Sequence, residues 1–320
     1  MKLRFWGTRG SIPVSMTTRD LRARLRHALL DAAVRAPLGE DDVDAYLDGL
    51  PFDVAGTFGG HSSCVQIETD GASHVILDLG TGVRPLGQAM LSRFGSEKPQ
   101  TYHVFMSHVH WDHIMGFPFF APAYIPGNKI IIHSCHADVA HAFKRQMGAP
   151  SFPVTFEQLS ASIEFDVLTP GVPYQIAGLT VCARLQRHEG DSYGWRFEQG
   201  GRVVVYSTDS EHQLNDEADR VGIIAFFANA DAVVFDAMYS LADAISVKAD
   251  WGHSSNIMGV ELCQAARAKR LVMFHHEPAY NDAQILAVLA ETRRFEEITR
   301  DPALQMLEVL SASDGLELVL

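Results

Sequence analysis

The stretch Ser107-His108-Val109-His110-Trp111-Asp112-His113 decides how this chain is read. Three histidines and one aspartate fall within six residues, directly after an apolar run at 103–106 that reads as a strand. The four side chains are therefore expected on a loop at a strand's carboxyl end. Imidazole and carboxylate are borderline donors that suit Zn²⁺, Mn²⁺ or Fe. Four donors packed this tightly exceed what one tetrahedral ion needs once ligands from elsewhere are added. Two adjacent ions are expected.

A metal site requires convergence in space, so further donors should come from other strand ends. Short apolar runs bounded by Gly, Pro and Asp turns occur at 65–67, 75–78, 129–132, 179–185, 202–206, 232–235 and 270–274. His188 follows the run 179–185, Asp209 follows 202–206, and His275 follows 270–274. Helical patterns lie at 137–147, 215–229, 256–268 and 283–294, the last two with apolar spacings of three and four. Many strands with interposed helices indicate a layered α/β fold. No internal repeat or low-complexity linker divides the chain, so a single domain over 1–320 is expected.

The segment at about 15–55 stands apart. Leu21, Leu25 and Leu29 line one face of a helix that Thr17 or Thr18 can cap, and a second short helix is expected at 40–47. Up to residue 36 there are eight basic and two acidic residues; from 37 to 53 there are six acidic and none basic. The expectation is an inserted helical hairpin in which two antiparallel helices pair opposite charges.

Composition narrows the classes. The 320 residues are 47% hydrophobic and 20% charged, which excludes a disordered, collagenous or coiled-coil chain. No apolar run approaches the roughly 18 residues that cross a bilayer. The start Met1-Lys2-Leu3-Arg4-Phe5-Trp6-Gly7 has no leader pattern, and the four cysteines form no CxxC pair. A reducing cytoplasmic location is expected, with no membrane partner. A net charge of −13 disfavours a general nucleic-acid binder. Composition leaves homo-oligomerisation open.

The pattern His108, His110, Asp112, His113 resembles the HxHxDH motif of the metallo-β-lactamase superfamily, over nearly the whole chain outside the hairpin. The nearest branch is the phosphodiesterases that include tRNase Z, because Trp251-Gly252-His253-Ser254-Ser255 is similar to the stretch carrying a catalytic histidine there. The resemblance implies a four-layer αββα sandwich with a small helical hairpin insertion near the N-terminus and metals at one edge. It implies that one ion takes His108, His110 and His188, the other takes Asp112, His113 and His275, and Asp209 bridges them. Asp78 matches a strand-end aspartate that supports a metal histidine. His253 would serve catalysis, and Asp112 would orient the nucleophile while ligating. Family spacing selects His275 as ligand and leaves His276 to the pocket. The Gly-rich turns at 7–11 and 59–63 could present backbone N–H groups to a phosphate, with Ser62 and Ser63 at the substrate. His61 replaces the asparagine that relatives often carry.

The expected activity is dinuclear metal-dependent hydrolysis of a small or cyclic phosphodiester, with two divalent ions, Zn²⁺ first and Mn²⁺ or Fe as alternatives, activating a shared water. Competing readings are a tRNA 3′-end endonuclease, a lactone or thioester hydrolase, and a metal-binding sensor or scaffold. The tRNA-processing members place a long arm between the ligands that His188 and Asp209 match, and only twenty residues separate those two here. Nucleic acid is accordingly not the expected substrate.

Overall fold

Alternation along the strands builds the centre of the molecule. In the strand His74–Leu77, Val75 and Leu77 face one core while Ile76 faces another. In Arg270–Phe274, Val272 and Phe274 face the first core and Leu271 and Met273 a third. Strands with apolar residues on both faces need cover on both sides, and this chain supplies it.

The computed structural model describes residues 1–35, 38–212, 217–240 and 252–320, and its centre is a pair of seven-stranded sheets. The first contains β1 (Lys2–Gly7), β2 (Cys64–Glu68), β3 (His74–Leu77), β4 (Thr101–Phe105), β5 (Lys129–Ser134), β6 (Ser162–Val167) and β14 (Glu317–Val319), in the order β14-β1-β2-β3-β4-β5-β6. The second contains β7 (Tyr174–Ile176), β8 (Leu179–Gln186), β9 (Ser192–Gln199), β10 (Arg202–Ser207), β11 (Ala232–Asp236), β12 (Arg270–Phe274) and β13 (Glu308–Ser311), in the order β13-β12-β11-β10-β9-β8-β7. Phe5, Leu77 and Phe105 of the first sheet meet Trp195, Tyr206 and Phe274 of the second in one continuous core. Each such side chain removed from water contributes about 1.5–3 kcal/mol.

Helices cover the two outer faces. Helix α4 (Val83–Phe94) and α6 (Val139–Gln146) lie over Ile76, Val104, Ile130 and Ile132. Helices α7 (Glu217–Phe227), α8 (Asn256–Ala265) and α9 (Asp282–Thr299) lie over Val205, Val233, Phe235 and Leu271. The layers run helix, sheet, sheet, helix: the αββα sandwich anticipated. Strands β3, β4, β5 and β6 are parallel, as are β10, β11, β12 and β13. Strand β8 runs with β10 because both are antiparallel to β9.

The insertion leaves the body after Val14 and returns at Gly60, whose carbonyl accepts from the Val14 N–H at 2.8 Å. It comprises α1 (Thr18–Ala33), a 3₁₀ turn at Glu40–Asp42, α2 (Val43–Asp48) and α3 (Phe52–Ala55). Thr17 and Asp20 form a capping box that starts α1. The Tyr46 hydroxyl donates to Ala28 O at 2.5 Å, and Arg24 bonds both Gly56 O and Asp282. The expected charge pairing is corrected: among the described residues no ion pair joins α1 to the acidic stretch. Arg24 pairs with Asp282 of α9, and Arg35, just past α1, with Asp31 of that helix. All four cysteines are free, and no helix among the described residues is long and apolar enough to cross a membrane.

His212, just past β10, is buried with its ring stacked on Phe235 at 5.5 Å. Burial pushes its pKa down to about 4, against 6.5 for a free histidine, although Asp219 and Asp236 oppose the fall. Between those values the unfolded chain binds a proton that the fold refuses, so stability is lost as pH falls from 6.5 toward 4. The slope from one such group approaches about 1.4 kcal/mol per pH unit. Urea unfolding of metal-free protein across that range should show a flatter pH slope for His212→Phe than for the parent; equal slopes would contradict the assignment.

Candidate metal centre

Six strands deliver their carboxyl ends to one edge of the sandwich. Strand β3 leads to Asp78, and β4 to a loop at 107–110 and then the one-turn helix α5 (Trp111–Ile114), which carries Asp112 and His113. Strand β8 leads to His188, β10 to Asp209, β11 ends on Asp236, and β12 leads to His275. Three of these turns use a left-handed backbone at a residue with a side chain: Asp78 at φ 56°, Asp209 at φ 48° and His275 at φ 59°. L-residues adopt that region at a cost of about 1–2 kcal/mol each, and here it turns a polar side chain inward at the sheet's edge.

The ligand-type atoms of His108, His110 and His188 lie within 4.8 Å of one another, and so do those of Asp112, His113 and His275. Asp209 stands between the two sets. Its Oδ1 is 3.3 Å from His275 Nε2 and 3.8 Å from Nε2 of both His108 and His188, while Oδ2 is 3.1 Å from His113 Nε2. Asp112 Oδ2 lies 3.2 Å from His113 Nε2 and 3.3 Å from His275 Nε2. Despite these separations, His108 Nε2 and His113 Nε2 are buried without a hydrogen-bond partner. The nitrogens converge on shared space instead of pairing with particular oxygens, and a divalent cation fits such a donor set.

Protonation suits ligation at four donors. At His113 burial opposes a proton, but the Asp112, Asp209 and Asp78 carboxylates overcome it and hold the imidazole well above its ordinary value, a proton that a bound cation would replace. Burial alone would raise the Asp112 and Asp209 carboxyls, but the surrounding histidines outweigh it and hold both well below the usual carboxylate range. Burial also keeps His108 and His110 below the ordinary histidine value, so each offers a neutral nitrogen.

Supporting contacts set the ring orientations. Asp78 Oδ2 accepts from His113 Nδ1 at 2.8 Å, which leaves Nε2 for the cage. His188 Nδ1 lies 2.8 Å from Gly252 O. Gly252 sits at φ 81°, and a Cβ there would come within 2.6 Å of His188 Nδ1. Gly10 is similarly required, because a Cβ would lie 2.5 Å from His275 Nδ1. His253 stacks on His275 with ring centres 5.1 Å apart, and its Nδ1 is 2.8 Å from Asp236 Oδ2. Burial opposes its protonation, yet Asp236 prevails and pushes its pKa up to about 9. Trp251, quoted with the His253 motif, lies outside the described residues.

The structure brings together His108, His110, Asp112, His113, His188, Asp209, His253 and His275. It does not present the three expected substrate contacts. Ser62 is buried with its hydroxyl donating to Asp112 O at 2.8 Å, so it braces the ligand loop. The Ser63 hydroxyl is buried and has no partner. His276 is buried against Phe58 with Nε2 2.8 Å from Ala312 O. The chain turns at His275, which takes the left-handed backbone, and His276 beyond that turn lies on the body side behind the cage. Asp236 was not singled out from sequence, although the rule that found Asp209, a carboxylate closing a buried strand, applies to it equally.

Comparison with known proteins agrees with this geometry. Residues 74–276 match the family described as the beta-lactamase superfamily domain. A protein named ribonuclease Z from Crocosphaera subtropica is 24% identical over 295 residues, covering 74% of this chain and 92% of its own. Among solved structures, Zn²⁺-bound PqqB from Methylobacterium extorquens superposes with a TM-score of 0.63 at 15% identity, covering 100% of both chains. A diphosphatase from the PhnP family superposes at 0.59 with 17% identity, over 100% of this chain and 97% of that one. At such identities the structural likeness speaks for the fold, while the family match spans well over half the chain. The chain belongs to the metallo-β-lactamase superfamily and is a metal-dependent hydrolase.

Proposed function

We propose that this hydrolase cleaves a small phosphodiester, a cyclic nucleotide being one such substrate, with two divalent ions, Zn²⁺ first among them. The carrying observation is the pair of donor triads with Asp209 between them, beside the His253–Asp236 pair. His108, His110 and His188 would hold one ion, Asp112, His113 and His275 the other, with Asp209 common to both. When bound, the ions supply an activated water and positive charge for the phosphoryl oxygens.

The chain's own groups do the rest. Asp112 is placed to ligate and to orient the attacking water. Asp236 fixes the His253 ring through Nδ1 and keeps a proton on it for the leaving alkoxide. The net charge of −13 opposes a polyanion, whose binding rests on many Lys and Arg contacts. The twenty residues between His188 and Asp209 leave little room for an RNA-gripping arm. A structured-RNA substrate is the second reading, favoured by relatives named ribonuclease Z over most of the chain.

Metal analysis should return two equivalents per chain. His110→Ala and Asp209→Ala should lower both metal content and turnover, and chelation should abolish turnover. Full activity in a chelated, metal-free sample would end the reading. His253→Ala should reduce kcat by about 10²–10⁴ while metal content stays at two. The loss should shrink on bis(4-nitrophenyl) phosphate, whose leaving group needs no proton. Loss of one metal in that variant would make His253 a ligand instead.

Substrate class is decided by parallel assays at equal enzyme and salt. Turnover of bis(4-nitrophenyl) phosphate and of 2′,3′- or 3′,5′-cyclic nucleotides should exceed cleavage of a precursor tRNA. Site-specific tRNA cleavage without small-diester turnover would select the second reading, and activity on lactones or thioesters alone would reject both.

A further inference from the structure

Helix α1 has sixteen residues and buries none of them. Leu21, Leu25 and Leu29, one turn apart, are 49%, 53% and 69% exposed. On α2, Val43 and Leu47 are exposed as well. An apolar stripe of this length on an otherwise polar arm is uncommon on a monomer's surface and marks a contact face. The helix is nonetheless held: Arg24 bonds Gly56 O within the insertion and Asp282 of the body, and Tyr46 of α2 bonds Ala28 O.

Charge identifies the occupant. Arg22 and Arg26 stand one turn apart on α1 and form no ion pair among the described residues. Asp44 and Asp48 stand one turn apart on α2 and are likewise without an ion pair there. The two helices touch through Tyr46 and Ala28, and among the described residues neither charged pair finds a partner on the other. A surface that carries a basic pair, an acidic pair of the same spacing and a leucine stripe is complementary to itself. A two-fold axis satisfies it twice, each α1 meeting the other chain's α2.

We propose that the insertion at 15–55 is a self-association surface whose occupant is a second copy of this chain. The leucines form the dry seam, and the pairs Arg22/Arg26 and Asp44/Asp48 meet across the axis and set the register. This is independent of which diester the metal centre cleaves.

Sedimentation equilibrium of the full chain at micromolar concentration should give twice the monomer mass. Leu25→Glu with Leu29→Glu should return it to monomer while hydrolysis of bis(4-nitrophenyl) phosphate persists, which shows the body intact. A charge exchange tests the pairing itself. A chain carrying Arg22→Glu and Arg26→Glu, and another carrying Asp44→Arg and Asp48→Arg, should each be monomeric alone and form a one-to-one heterodimer when mixed. A parent chain that sediments as a monomer overturns the proposal, whether or not it binds anionic vesicles. So does a Leu25→Glu, Leu29→Glu variant that stays dimeric, since the interface would then lie elsewhere.

Discussion

Asp78 is a carboxylate with no exposed surface, and four donors surround it: the Ser107 N–H and hydroxyl, His113 Nδ1 and the Tyr206 hydroxyl, all at 2.7–2.8 Å. A buried carboxylate lacking partners would cost several kcal/mol, so this cluster holds together only as a unit. Its members come from both halves of the sandwich. Asp78 follows β3, Ser107 follows β4, His113 lies on the helical turn Trp111–Ile114, and Tyr206 lies on β10 of the opposite sheet. One residue thereby joins the two sheets at their active edge, starts the ligand loop and fixes which nitrogen of His113 is free. The core packing brings the sheets together; this cluster sets how their ends register.

The same economy governs the chemistry. The strands put polar residues where the sheet stops, and the loops that follow need only be short to bring donors from both sheets into one cage. Ser62 and His276 then act as walls behind the ligands, each tied to a backbone carbonyl. Asp236 stands to His253 as Asp78 stands to His113, a buried strand-end carboxylate on an imidazole Nδ1. The chain uses one device twice, once to direct a donor into the cage and once to hold a proton beside it.

Much of this was legible in the sequence because buried strands advertise themselves. Runs such as Val203-Val204-Val205-Tyr206 are apolar on both faces, and the polar residue that ends each one stands out. Strand β9 was missed because Ser192-Tyr193-Gly194-Trp195-Arg196-Phe197 carries its apolar residues on one side only and includes a glycine. Helix α4 was missed because Pro85 and Gly87 read as breakers; the proline falls in the first turn, where its lost N–H is harmless, and the glycine passes close to Phe120 and Pro122. The direction a side chain takes at a turn was not legible. Ser62 and Ser63 are expected at the substrate from their Gly-rich turn and His276 from its place beside a ligand, and neither signal says which way a side chain points. The charge blocks of the insertion were read as mutual partners because net charge is visible in a sequence while helix rotation is not.

The left-handed turns at Asp78, Asp209 and His275 bear on how this protein can be improved. At each, glycine would relieve the backbone, and asparagine would sit there more easily than histidine, so a search for stabilising substitutions would be drawn to the residues that form the cage or support it. Thermal tolerance and turnover therefore compete at Asp209 and His275, whereas at Asp78 the four buried hydrogen bonds outweigh the backbone cost. Engineering for durability is better directed at loops and surface away from that edge, where a gain in stability does not dismantle the site.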